Sequence, residues 1–208
     1  MTEAPLTIEP MHAKYNEQVS QLLVHGFRGK FQTLTNMNNE ELALFFKKLF
    51  DQFPNEPATQ RMVAIQEGIV VGTMSIKWQN GSYLKEQRKL HSWTNFRMFG
   101  KWNLFIMVLG LYFLEHKPQK GECYIADVVV HPDHQGKGIG NLLLGWAQNF
   151  VQTEPSLDTL SLYVAGKNPR AEQLYKRLSF HTQLREKSFL SHILFNEKKW
   201  SYMVKRLK

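Results

Sequence analysis

Apolar positions along this chain switch between two periods, and each switch marks an element. Leu6-Thr7-Ile8 alternates and predicts a first strand. Val19, Leu22 and Leu23 then recur at helical spacing as far as His25-Gly26. Leu42, Phe45, Phe46 and Leu49 form one face of a second helix, capped by Asn39. Residues 51–57 form a loop. Residues 62–65 and 69–76 are strands joined by the short turn Gln66-Glu67-Gly68. Residues 124–130 are a nearly unbroken apolar run, which predicts a buried strand. Helical spacing returns at Ile139, Leu143, Trp146, Ala147 and Phe150. Residues 160–164 predict a further strand, and Ala171, Leu174, Tyr175 and Leu178 a further helical stripe. Residues 182–194 and 200–206 read as a closing hairpin around Asn196-Glu197-Lys198-Lys199.

Residues 80–120 fit this rhythm least. The segment holds Trp93, Phe96, Phe99, Trp102, Phe105, Tyr112 and Phe113 and predicts one or two helices, because a connection of that length rarely lacks structure of its own. Its run 104–114 is eleven residues. A bilayer span needs about 20, so a buried or interfacial helix is expected.

The densest chemical signal is Gln135-Gly136-Lys137-Gly138-Ile139-Gly140, between a predicted strand and a predicted helix. Strand, glycine-rich turn and helix together present free backbone N–H groups and the positive end of a helix dipole to an anion. Glycines let the backbone come close, and Lys137 adds a positive charge. The pattern predicts a pyrophosphate cradle. It is not a Walker loop, since Gly136-Lys137 is followed by Gly138 and His131 lies five residues before Gly136. Nor is it a dinucleotide fingerprint, whose third glycine would fall on Leu143.

Gln135, Gly138 and Gly140 do fit Gln/Arg-x-x-Gly-x-Gly/Ala, and on these residues the chain resembles the GNAT N-acetyltransferases. The likeness covers residues 125–180 in order: strand, His131-Pro132-Asp133-His134 turn, cradle, helix, second strand, then Asn168-Pro169-Arg170-Ala171-Glu172-Gln173-Leu174-Tyr175. The family often closes this block with Gly-Phe, where this chain has Ser179-Phe180. More weakly, the order strand, helix, helix, hairpin extends the likeness back to residue 6.

The resemblance implies an α/β (α+β) fold, a mixed and mainly antiparallel sheet flanked by helices, with a helical insertion before the central strand. It implies one domain over residues 1–208, with the aromatic-rich insertion at about 80–120. It also implies acetyl-CoA as cosubstrate, held by Gln135, Gly136, Lys137, Gly138, Ile139, Gly140 and Asn141. The main chain of Val128 and Val130 would pair with the pantetheine arm, and Asn168 would contact it. Asn168 before Pro169 is also a complete helix start by itself. Tyr175 is implied as general acid, although its place on an apolar stripe also suits a core tyrosine. For the base, Asp127 lies among apolar neighbours, where an unpaired carboxylate has a raised pKa. Glu122 is the second candidate, and deprotonation through a water is the third route.

Composition narrows the rest. A chain of 208 residues is long enough to bury a core, and its net charge of +8 suits an anionic ligand. Cys123, the only cysteine, excludes an internal disulfide. His131, Asp133 and His134 sit in a Pro-containing turn without a further ligand cluster, so no metal is expected. The N-terminus lacks a signal-peptide pattern, and a cytoplasmic protein without a membrane span is expected. The expected partner is a small-molecule or protein amine. A regulatory or nucleic-acid-binding protein, using the basic surface and Trp93-Thr94-Asn95-Phe96-Arg97, is the alternative, and nucleic acid is the less expected partner. The insertion is expected to wall the acceptor pocket through Trp93, Phe96, Trp102 and Tyr112, or to form a homodimer.

Overall fold

The computed structural model describes residues 5–31, 35–54, 57–79, 90–187, 192 and 195–208, the side chains of 28–31 and 90–94 apart. Trp93 and the first ten residues of the insertion therefore yield no side-chain statement.

The strands are β1 (Thr7–Pro10), β2 (Thr59–Gln66), β3 (Ile69–Trp78), β4 (Glu122–Val130), β5 (Thr159–Ala165), β6 (His181–Lys187) and β7 (Lys199–Arg206). They form one seven-stranded sheet in the order β1-β2-β3-β4-β5-β7-β6. Only β4 and β5 are parallel neighbours among the described residues. A parallel pair needs a long crossover, and α4 (Ile139–Thr153) supplies it. The other helices are α1 (Asn16–Phe31), α2 (Asn39–Gln52), α3 (Lys101–Leu114) and α5 (Pro169–Arg177).

Two cores follow from strand alternation. Val63, Ile65 and Val129 point to one face, where α1, α2 and α3 pack. Cys123, Ile125, Leu160, Leu162 and Val164 point to the other, where α4 and α5 pack. Helices approach the sheet closely on both faces. A Cβ on Gly26 of α1 would lie 2.5 Å from Val129, and one on Gly72 of β3 2.9 Å from Ile139 at the start of α4.

Two boundaries differ from the sequence expectation. Asn38, not Asn39, caps α2: its side chain accepts from the Glu41 N–H, and the Glu41 carboxylate accepts from the Asn38 N–H, each at 2.9 Å. Either asparagine is a fit cap, and the reciprocal glutamate three residues on decides between them. β7 begins at Lys199, inside the stretch expected to turn, and Lys199 already pairs with Lys187. The insertion is a 3-10 stretch, Leu90–Phe99, followed by α3. Phe96 and Phe99 pack edge-on against Phe45 of α2, with ring centroids 5.2 and 5.4 Å away. Phe96 is fully buried, so it belongs to the core and not to a pocket wall. No helix among the described residues is long and apolar enough to cross a membrane.

Candidate active site

β4 and β5 pair only from Glu122↔Thr159 to Ile125↔Leu162. Beyond that, β4 continues along β3 as far as Val130↔Gly72, while β5 continues along β7. The parallel pair therefore forks, and the fork exposes strand edges that could pair with a ligand. Ala126 is an extra residue in the β3–β4 register, since Ser75 faces Asp127 and Ile76 faces Ile125. This bulge sits at the point of divergence, where such irregularities re-aim side chains. Val128 and Val130 lie past the last β5 partner. The Val130 carbonyl accepts from the Gln135 side-chain amide at 3.2 Å, so Gln135 ties the cradle to the end of β4.

The cradle follows a 3-10 turn, Pro132–His134. Gly136 and Gly138 have φ of 82° and 83°, the left-handed region that glycine enters without strain. Open space surrounds both. Gly138 caps α4 without a side-chain hydrogen bond, and the first helical bond runs from Leu142 N–H to Gly138 C=O. The N–H groups of residues 136–141 therefore find no acceptor among the described residues. Gln135, Gly136, Lys137, Gly138 and Asn141 are exposed. Ile139 is buried and anchors the helix start, leaving only its main chain to the site. A mouth of unpaired N–H groups at a helix N-terminus has the geometry that suits an anion.

On the same face of the sheet, α5 begins at Asn168, whose side-chain oxygen accepts from Ala171 N–H at 3.1 Å. The capping role of Asn168 is thus observed. Tyr175 is partly buried against the core of that face, edge-on to Phe180 at 5.7 Å. Its hydroxyl has no hydrogen-bond partner among the described residues. Burial pushes its pKa up to about 12. It therefore stays protonated near neutral pH and can act as a donor. The helix ends with Ser179 at φ 67°, so serine occupies the left-handed exit position usually given to glycine.

The two carboxylate candidates lie on the opposite face. Asp127 receives both nitrogens of the Arg61 guanidinium, at 2.6 and 2.7 Å. Both side chains are mostly buried, and the Phe50 ring covers Arg61 at 5.3 Å. Asp127 is therefore the paired, structural acid that is the alternative to a free base: it is bound bidentately, and its charge is neutralised by a β2 residue.

Glu122 is also fully engaged. One carboxylate oxygen accepts from His116 Nε2 at 2.9 Å, from the Tyr202 hydroxyl at 2.7 Å and from the Ser161 hydroxyl. The other accepts from the Gln119 N–H at 2.7 Å. Burial would raise its pKa, but these four donors prevail and hold it down to about 2. So strongly held a carboxylate is a poor base near neutral pH. A cleft of about 370 Å³ borders it, lined by residues such as Gln119, Lys120, His181, Tyr202 and Arg206.

The remaining candidates separate cleanly. His131 Nδ1 accepts from Asp133 N–H at 3.3 Å, a local turn contact. No group of metal-ligating residues occurs among the described residues. Cys123 is fully buried, and burial pushes its thiol up to about 12, which makes it a poor nucleophile. Trp102 and Tyr112, expected as pocket lining, are 66% and 70% exposed on the outer side of α3. Sequence reasoning missed Arg61, His116, Ser161 and Tyr202, none of which carries a local motif.

The Acetyltransferase (GNAT) family model matches residues 31–180. The chain is 40% identical over 60 residues to a mycothiol acetyltransferase of Tsukamurella paurometabola, covering 29% of this chain and 20% of that protein. It is 36% identical over 53 residues to a spermidine N(1)-acetyltransferase of Vibrio cholerae, covering 26% of this chain and 31% of that protein. The matched stretches thus span less than a third of either relative. Among solved structures, a GNAT-family acetyltransferase from Desulfovibrio desulfuricans superposes with TM-score 0.63 at 13% identity, over 98% of this chain and 100% of that one. A spermidine N-acetyltransferase variant from Vibrio cholerae gives 0.61 at 16% identity, over 97% and 94%. At these identities the likeness is one of fold.

Proposed function

The chain belongs to the GNAT acetyltransferase family, and from that premise we propose that it transfers an acetyl group from acetyl-CoA to a primary amine by direct attack in a ternary complex. The observation that carries this is the forked β4–β5 pair opening onto a glycine cradle with unpaired N–H groups. Acetyl-CoA fits it in three ways. Its pyrophosphate suits the N-terminus of α4, with Gly136, Lys137, Gly138, Gly140 and Asn141 around it. Its pantetheine arm suits the free edge of β4 at Val128 and Val130. Asn168 and Tyr175 lie on the same face as α4, and a protonated phenol suits a departing thiolate.

Direct attack is preferred because the one cysteine is buried and would not carry an acetyl intermediate. The acceptor is an amine of a small molecule or a protein, and spermidine is the first to assay, since a curated relative and a solved neighbour are named for it. Nucleic acid is not a proposed partner. A homodimer through the outer side of α3 remains a separate proposal, checked by sedimentation.

Calorimetry with acetyl-CoA, followed by initial rates over spermidine, phenethylamine and a lysine peptide, tests the function. Intersecting rate patterns are expected. Absence of acetyl-CoA binding, or a ping-pong pattern, would refute it.

A further inference from the structure

Neither carboxylate near β4 is free to deprotonate an amine. Asp127 is bound by Arg61, and Glu122 is held by four donors. The face opposite α4 and α5 nevertheless carries an imidazole beside the fork. His116 follows α3 at the end of the insertion. Its ring lies 4.4 Å from Tyr124, 5.6 Å from Tyr163 and 5.7 Å from Tyr202, centroid to centroid. Tyr124 precedes the last paired β4 residue, Ile125, and Tyr163 follows the last paired β5 residue, Leu162. The ring therefore caps the vertex of the fork on the side opposite Tyr175.

Glu122 decides the tautomer. An ionised carboxylate can only accept, so the 2.9 Å contact requires a proton on His116 Nε2. In the neutral ring the lone pair then sits on Nδ1, for which no hydrogen bond occurs among the described residues. The side chain is 21% exposed, so the nitrogen is within reach of a ligand. A base oriented by a permanently ionised carboxylate is the arrangement that activates nucleophiles on unrelated folds.

We propose that His116, oriented by Glu122, is the base that takes the proton from the acceptor amine, a role resting on the acetyltransferase function proposed above. The amine nitrogen forms its bond to the acetyl carbon and gives a proton to His116 Nδ1. The carbon–sulfur bond breaks, and the sulfur takes a proton from the Tyr175 hydroxyl. One proton passing through solvent from His116 to Tyr175 restores both groups. The insertion thus completes the site with a proton acceptor, while its aromatic residues from Phe96 onward stay in the core or on the outer surface. The titratable groups that face His116 are Glu122 and Tyr124 of β4, Tyr163 of β5, whose hydroxyl reaches Glu186 of β6, and Tyr202 of β7.

His116→Gln keeps a donor for Glu122 and removes the base. It is expected to lower kcat on the order of 10²–10⁴-fold and to leave acetyl-CoA affinity unchanged. His116→Ala is expected to regain rate with added imidazole. Parental turnover by the Gln variant, or lost acetyl-CoA affinity in both variants, or no imidazole rescue, would overturn the assignment. A parent that binds acetyl-CoA but acetylates none of spermidine, phenethylamine and the lysine peptide would instead overturn the functional premise, and the base with it.

Discussion

The two faces of the sheet at β4 are built by different means. On the α4–α5 face the site is main chain: free N–H groups, two glycines at positive φ and the open edge of a strand. On the other face it is side chain: Arg61 on Asp127, and His116, Ser161 and Tyr202 on Glu122, drawn from five separate segments. A backbone site depends on what one short stretch of chain can adopt. A side-chain site depends on which distant residues the fold brings together. The first is suited to an invariant ligand, the second to chemistry that varies with the acceptor.

If that contrast is sound, changes to the candidate site residues of the first face should act on binding and turnover, and those of the second on stability as well. The largest effect is expected at the cradle. Gly138→Asp puts a carboxylate and a Cβ where the proposed pyrophosphate would lie, and acetyl-CoA should bind on the order of 10³-fold more weakly, about 4 kcal/mol, while a side chain at this left-handed φ lowers stability by about 1 kcal/mol. Calorimetry reads it, and undiminished affinity would remove the cradle from the site.

Tyr175→Phe comes next. The ring keeps its contact with Phe180 and only the proton is lost, so kcat should fall roughly 10²-fold while acetyl-CoA affinity holds. Parental turnover would return Tyr175 to the core.

The opposite face is probed by pH. The folded pKa of Glu122 is depressed, to about 2 from its ordinary 4.5. Its stabilisation is therefore complete above the unfolded value and is lost as pH falls from about 4.5 towards 2. The depressed pKa, net of the burial cost, should contribute roughly 3 kcal/mol at neutral pH. Glu122→Gln should lower the melting temperature at pH 7 and flatten its decline below pH 5. An unchanged acid limb, measured by calorimetric scans, would mean that the network stabilises nothing.

The smallest effect is local to the cofactor face. Ser179 adopts a left-handed conformation that disfavours any residue with a Cβ, so Ser179→Gly should stabilise by about 1 kcal/mol, read from denaturant midpoints, without altering turnover. A destabilised variant would show that the serine hydroxyl matters more than the backbone strain.

The chain's local pattern by itself determined the strand ending at Val130, the glycine cradle, helix α4 and the Asn168-Pro169 helix start. Each rests on neighbours within a turn or a strand, where period, missing Cβ and capping chemistry act directly. The α2 cap shows the limit of that resolution, since Asn38 and Asn39 are equally fit and only the bond to Glu41 chooses. Tertiary structure alone decided the fate of the carboxylates. Arg61 reaches Asp127 across 66 positions of sequence, and Tyr202 reaches Glu122 across 80. It also sorted the insertion's aromatics, burying Phe96 against Phe45 and leaving Trp102 and Tyr112 outside. All three are large aromatics in the sequence. What distinguishes them is the surface each meets after folding, and no local period encodes a partner so far along the chain.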